Sequence, residues 1–315
     1  MNRVLVVDDD RIVARFIETN LRLEGFDVRL AHDGAQALAI AADWHADLVL
    51  LDVILPDLDG FAVCRELRRS PRTANLPVIL LTTSQVTAEH LVGLAAGADD
   101  YLAKPFDPLE LVTRVRFTLR RTAEIRALSP LTGLPGNTRI EAELASRITE
   151  SAPVAICYAD LDNFKAYNDC YGFLRGDEVL LLLATTIKSA ADSVGAPTPF
   201  VGHVGGDDFV VICSPDQAEP LCTRMVTAFD AAVPALHDPA DVARGHLSVV
   251  DRRGQVHEYP LVGVSIGVAT SDRRHFRDHR ESVAVATEMK AVAKGTPGSS
   301  IAIDRRSDPA SITLT

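Results

Sequence analysis

Short apolar runs alternate with stretches of helical spacing from the first residues of this chain. Val4 to Val7, Val28 to Leu30, Leu48 to Leu51, Val78 to Leu81 and Tyr101-Leu102 read as five strands. Amphipathic stretches such as Ile12 to Leu23 and Leu109 to Leu119 lie between them. This βα alternation predicts a doubly wound parallel five-stranded sheet, with any site at the carboxyl ends of the strands. From Leu109 to Arg126 the apolar positions keep near-helical spacing, and Ser129-Pro130 stops the run. The part up to about Arg120 is accounted for by a last helix packing on its own sheet. Beyond it, either the helix simply ends or a rigid extension carries changes in dimer geometry.

The pattern changes after residue 130. Val154 to Tyr158 is apolar enough for a buried central strand. Gly205-Gly206-Asp207-Asp208-Phe209 stands between Phe200-Val201 and Val210-Val211-Ile212, which is a hairpin signal. The stretch His237 to Tyr259 holds Asp251-Arg252-Arg253-Gly254 between Leu247 to Val250 and Gln255 to His257. It reads as an added hairpin, with its two arginines in a solvated turn.

The chain's 315 residues suffice for two domains with a core each. A net charge of -11 and a pI near 5.3 argue against nonspecific binding to nucleic acid or to an anionic membrane. No apolar run approaches the length of a membrane span, and Met1-Asn2-Arg3 leads straight into a strand with no room for a signal peptide. The five cysteines show no metal or redox spacing and read as reduced packing residues of a cytoplasmic protein.

Candidate chemistry gathers where the first set of strands ends. Asp8 and Asp9 follow the first strand, Asp52 ends the third, Thr82 ends the fourth, and Lys104-Pro105 follows the fifth. Carboxylates at one rim repel each other unless a cation sits among them, and a lysine and a hydroxyl beside them suit a phosphoryl group. With Pro56, Asp59-Gly60 and Tyr101, this set resembles the receiver domain of two-component response regulators. The resemblance implies that Asp52 accepts a phosphoryl group from a cognate histidine kinase. It also implies that Asp8 and Asp9 with Asp52 hold Mg2+, that Thr82 and Lys104 contact the phosphoryl group, and that Tyr101 is the aromatic that switches rotamer. Asp10 reads as the cap of the following helix. Thr83 stands where that family has a smaller side chain.

In the second half, Ala159-Asp160-Leu161-Asp162-Asn163-Phe164-Lys165 follows the buried strand, and Asp160 can meet Asp207 and Asp208 at one sheet edge if the hairpin lies alongside. Such carboxylates hold hard divalent cations, and a glycine pair admits a phosphate to the backbone. Leu131-Thr132-Gly133-Leu134, Asn168-Asp169, Gly172, Gly176-Asp177, Val264 to Val268 and Lys294 complete an ordered set. Together they resemble the GGDEF family of diguanylate cyclases, which condense two GTP into cyclic di-GMP.

The resemblance implies an α/β, nucleotidyl-cyclase-like second domain with a mainly antiparallel sheet. The expected organisation is a receiver over 1–121, a helical linker over 122–130, a cyclase domain over 131–305 and a tail over 306–315. Asp160, Asp207 and the Leu161 carbonyl would bind Mg2+, with Asp208 beside them as a catalytic carboxylate. Asn163, Phe164, Lys165, Gly205, Gly206 and Lys294 would receive phosphates. Asn168 and Asp177 would contact guanine, Asp177 by accepting two hydrogen bonds that adenine does not offer; alternatively Asp177 caps a helix over Glu178 to Ala190. Asp162 reads as solvent-facing or as a cap. An active cyclase would be a homodimer, since one domain supplies one GTP.

Several positions depart from that family. Asp208 replaces a glutamate, Ser129 an aspartate, and Phe173 a histidine. An arginine expected four residues after Lys294 is absent, and Ala196 and Pro199 replace the Arg-x-x-Asp product site. His203 reads as a partly buried hairpin histidine. The expected function is a phosphorylation-controlled, Mg2+-dependent diguanylate cyclase. The alternatives are a degenerate GGDEF domain that binds GTP or a protein partner without turnover, and a pure interaction output.

Overall fold

The computed structural model describes residues 1–83, 96–250 and 254–307. The chain divides into two compact units, Met1–Arg126 and Ala127–Thr315.

The first unit carries β1 (Arg3–Val7), β2 (Asp27–Ala31), β3 (Leu48–Asp52), β4 (Val78–Thr82) and β5 (Asp100–Ala103) in a parallel sheet of order β2-β1-β3-β4-β5. Every residue of β3 and β4 is buried, which is why these strands read as unbroken apolar runs. Helices α1 (Arg11–Leu23), α2 (Gly34–Trp44), α3 (Gly60–Arg69) and α4 (Pro108–Arg126) accompany the sheet, and separate apolar clusters fill its two faces. Asp10 caps α1, accepting from the amides of Ile12 and Val13. The stretch expected as a helical linker, 122–130, divides in two. Helix α4 ends at Arg126, and Ala127 to Pro130 is not helical: Leu128 bridges Pro135, and the Ser129 amide donates to the Leu134 carbonyl.

The second unit opens with that turn and with α5 (Asn137–Thr149). Its main sheet has the order β12-β11-β6-β8-β7, built from β6 (Ala155–Asp162), β7 (Phe200–Gly205), β8 (Asp208–Cys213), β11 (Gly263–Thr270) and β12 (Ser300–Ile303). All its pairings are antiparallel except β11 with β12. Helices α6 (Phe164–Tyr171), α7 (Phe173–Ser193), α8 (Pro215–Ala232), α9 (Pro239–Arg244) and α10 (His279–Ala293) surround it. The insertion forms α9 and a separate hairpin, β9 (His246–Val250) with β10 (Val256–Pro260). Arg252, Arg253 and the tail from 308 onward lie outside the described residues.

Gly267 sets how closely α10 lies on the sheet. A Cβ there would stand 2.1 Å from both the Ala286 carbonyl oxygen and the Lys290 nitrogen, so only glycine permits this approach. No helix among the described residues is long and apolar enough to cross a membrane.

Candidate functional site

Parallel pairing in the order β1-β3-β4-β5 brings three carboxylates and a lysine to one rim of the first unit. Asp8, Asp9 and Asp52 each offer an oxygen within 4.8 Å of the others. The Lys104 ammonium donates to Asp8 Oδ2 and to Asp52 Oδ2, each at 2.7 Å. Burial pushes the Asp8 carboxyl up, with Lys104 opposing the shift. Burial also acts to lower Lys104, but its hydrogen bonds to Asp52 and Asp8 outweigh this and hold it above the usual lysine range.

The rim is shaped by Gly60, where a Cβ would lie 2.2 Å from the Asp52 carbonyl oxygen. Asp59 caps α3 next to it. Thr82 is buried at the end of β4, and Tyr101 on β5 is partly exposed. Three converging carboxylates with a lysine of compensating charge fit a divalent cation and an incoming phosphoryl group.

In the second unit, antiparallel register sets Asp160 of β6 directly opposite Asp208 of β8. The hairpin therefore does lie beside the first strand. Gly205 and Gly206 turn it with φ of +142° and +59°, and the space where their Cβ atoms would stand is open. Lys290, on α10, donates to Asp160 Oδ2 at 2.8 Å and to Asp208 Oδ1 at 2.6 Å. Its Nζ also lies 4.4 Å from the Tyr158 ring centroid. Lys294, one turn later at the C-cap, is ion-paired with Asp160.

Burial raises Asp207 first, and the charge of Asp160 adds to it. Asp208 is raised by burial against the opposition of Lys290. Burial would lower Lys290, but its bonds to Asp160 and Asp208 outweigh this and raise it. Four carboxylates (Asp160, Asp162, Asp207, Asp208) face two ammonium groups here, so the excess negative charge matches one divalent cation. Asp160 Oδ1 is buried, and its partner is the Lys294 ammonium.

Two sequence readings change, and one residue joins the site. Lys290 was missed, and it is the most deeply engaged cation of the site. The position four residues after Lys294 is Gly298, and Lys290 lies one turn before Lys294. Asp162 neither faces solvent nor caps a helix: it is half-buried and accepts from the Ser265 hydroxyl on β11, at 2.8 and 3.0 Å. Helix α7 starts at Phe173, so Asp177 lies inside it and does not cap it.

Asn163, with φ of +59°, opens α6 and makes no side-chain capping bond, leaving Phe164 and exposed Lys165 at the helix start. Leu161 sits in register opposite Val264, next to Asp160. Asn168 Oδ1 is buried with no partner. It points at Gly176, where a Cβ would stand only 1.9 Å away, and half-exposed Asp177 follows on the same helix. A buried amide oxygen without a partner has an acceptor site to offer.

Comparison with known proteins matches the two units separately. The family profile described as "Response regulator receiver domain" covers residues 4–116, and that described as "Diguanylate cyclase, GGDEF domain" covers residues 127–297. Among curated proteins the chain is similar to the DNA-binding dual master transcriptional regulator RpaA of Synechocystis sp., 43% identical over 144 residues, which is 43% of this chain and 60% of that protein. It is also similar to response regulator MprA of Mycobacterium avium, 48% identical over 120 residues, 38% of this chain and 52% of that one. The chain thus spans a little over half the length of these relatives, and the likeness lies in the receiver alone. Among solved structures it is similar to a Francisella response regulator receiver domain, 38% identical with a TM-score of 0.37, covering 39% of this chain and 99% of that one. A second is the receiver domain of a Pseudomonas aeruginosa sensor histidine kinase with magnesium in its cleft, 35% identical with a TM-score of 0.36, covering 38% and 98%.

Proposed function

We propose, from the premise that this chain belongs to the diguanylate cyclase GGDEF-domain family and carries a response regulator receiver domain ahead of it, that phosphorylation of Asp52 controls condensation of two GTP into cyclic di-GMP and pyrophosphate. The observation that carries this reading is the Asp160–Asp208 pair across β6 and β8, bound by Lys290 and Lys294. Carboxylates for a metal and ammonium groups for a triphosphate are what nucleotidyl transfer needs side by side.

Mg2+ would be held by Asp160, Asp207 and the Leu161 carbonyl in the second unit, and by Asp8, Asp9 and Asp52 in the receiver. When bound, it supplies charge neutralisation and Lewis acidity at the reacting phosphate. Lys290 and Lys294 would exchange their carboxylates for phosphate oxygens and orient the triphosphate. The start of α6 at Asn163, Phe164 and Lys165 adds amides and a cation, and the bare backbone of Gly205 and Gly206 lets phosphate approach. Guanine would give its amino group and N1–H to Asp177 and complete the orphaned Asn168. One domain binds one GTP, so the reaction needs two copies, each orienting its nucleotide against the other. A histidine kinase would supply the phosphoryl group to Asp52, in the cytoplasm, where both partners and GTP meet.

A second reading, nucleotide binding without turnover, is favoured by one observation. Among the described residues, the compact carboxylate triad is that of the receiver; Asp160, Asp207 and Asp208 do not close into one. The two readings separate when the protein, with and without a phosphoryl donor, is incubated with Mg2+ and GTP and the nucleotides are analysed. Cyclic di-GMP that disappears in Asp160→Ala supports the cyclase. Mg2+-dependent GTP binding without product supports the binding module.

A further inference from the structure

His203 is buried in β7, and both of its ring nitrogens are engaged. Nε2 lies 3.0 Å from the carbonyl oxygen of Gly206 in the signature loop. A carbonyl only accepts, so Nε2 carries a hydrogen and donates it. Nδ1 lies 2.8 Å from the Ser129 hydroxyl and 3.1 Å from the Thr132 hydroxyl, both in the turn that opens the second unit. The ring stacks on Phe209, with centroids 4.3 Å apart and planes within 4°. Phe209 is itself fully buried next to Asp208.

The main chain follows the same route. The His203 amide donates to the Pro135 carbonyl at 2.8 Å, Pro135 bridges Leu128, and the Gly136 amide donates to the Ala127 carbonyl at 2.7 Å. Just beyond His203 the β7–β8 ladder shifts register before Gly205. At a bulge the ladder is interrupted, so a side-chain bond to the loop has more effect on where the loop stands.

We infer that His203 is a positioning residue that couples the opening turn, Ser129 and Thr132, to the signature loop bearing Asp207 and Asp208. Displacement of the first residues of the second unit is thereby read out as a displacement of those carboxylates. The inference deepens the cyclase reading and rests on it for its catalytic consequence. A ring fixed on both edges and on one face has no freedom to absorb a shift of either partner. The turn begins at the residue after α4, which is where any signal arriving along the chain from the receiver must enter.

The test is hydrogen exchange of the loop peptide spanning 204–209 in the full-length protein, combined with steady-state kinetics. His203→Phe keeps an aromatic ring but removes its polar contacts to Gly206, Ser129 and Thr132, and should speed loop exchange about tenfold. Its kcat should fall by a similar factor, with KM for Mg-GTP changed less than about twofold. His203→Gln, with one donor and one acceptor, should restore most of the slow exchange. Ser129→Ala with Thr132→Val should speed exchange in the wild-type background and add almost nothing to His203→Phe, because the link is already cut. Unchanged loop exchange in His203→Phe, or full additivity in the combined variant, overturns the coupling. If no variant, nor the wild-type protein, makes cyclic di-GMP, the cyclase reading fails, while the exchange cycle still decides the coupling.

Discussion

The ammonium of Lys290 stands 2.6 Å from Asp208 Oδ1, and the same group reaches Asp160 at 2.8 Å. It neutralises two carboxylates that face each other across adjacent strands and would otherwise repel. Lys290→Met should therefore lower the stability of the second unit by about 3 kcal/mol, the scale for removing one member of a buried charge cluster. Mg2+ without nucleotide should recover part of that loss in the variant and have little effect on the wild-type protein. Thermal unfolding with and without MgCl2 checks both; an equal response of the two proteins to the metal would show that Lys290 is not the resident counter-ion.

The pH dependence of the same site has a definite sign. Folding raises the Asp207 carboxyl above its ordinary value, through burial and the charge of Asp160. The folded chain thus binds this proton more tightly than the unfolded chain. The group's contribution is present below its unfolded value and is lost as pH rises through the folded value, so the ionised group opposes folding at neutral pH. Asp207→Asn removes that opposition. Its melting temperature should exceed the wild type's by a few degrees at about pH 7.5, and the gain should shrink as pH is lowered towards the ordinary aspartate value of about 3.9.

The receiver rim was legible because its strands are short, apolar and parallel, so Asp8, Asp52 and Thr82 fall at strand ends in the sequence itself. The β6–β8 pairing was legible for a similar reason, a glycine turn between apolar runs. Lys290 was not. It comes from a helix whose approach to the sheet depends on Gly267, a contact between residues distant in sequence that carries no local pattern. Helical spacing alone allows either Lys290 or Lys294 to be the one that reaches in. Asp162 was misread because aspartate before a helix is the usual sign of a cap, whereas here Ser265 on a neighbouring strand takes it. The alternative of an Asp177 cap falls because α7 starts earlier, at exposed Phe173, with Gly172 at φ +85° as its N-cap.

Gly176 offers a test of the proposed guanine contact. A Cβ at this position would meet the end of the Asn168 side chain at 1.9 Å, and a flexible side chain can move aside. Gly176→Ala should thus leave melting nearly unchanged while weakening GTP binding about tenfold or more, the scale for losing a placed hydrogen bond to the base. Calorimetry with GTP and ATP reads this directly. Undiminished preference for GTP would remove Asn168 from the base site.

In the receiver, Lys104 bridges Asp8 and Asp52. Asp52→Asn should abolish labelling by a small-molecule phosphodonor, because no other described carboxylate shares this constellation of Asp8, Asp9 and Lys104. Lys104→Met should keep the acceptor and still be labelled, but the phosphoryl group would lack its cation. Its effect on output should then fall well below that of the phosphorylated wild type. Full labelling of Asp52→Asn would move the acceptor elsewhere.

Asp208 faces Asp160 in register, with its carboxylate drawn onto Lys290. A glutamate there would carry its charge about an ångström further from the strand, one methylene beyond the bridge to Lys290. Displacements of that size are worth up to about a hundredfold in rate when a group must meet a reacting centre. Asp208→Glu should therefore raise kcat for cyclic di-GMP formation by about tenfold or more. Affinity for Mg-GTP should stay within about twofold, since the net charge and the proposed phosphate-binding lysines, Lys290 and Lys294, are unchanged. If the wild-type protein already matches the variant, the shorter carboxylate reaches its partner as it stands. If neither turns over once phosphorylated and paired, while both bind GTP, the shortfall lies outside Asp208 and the domain acts by binding alone.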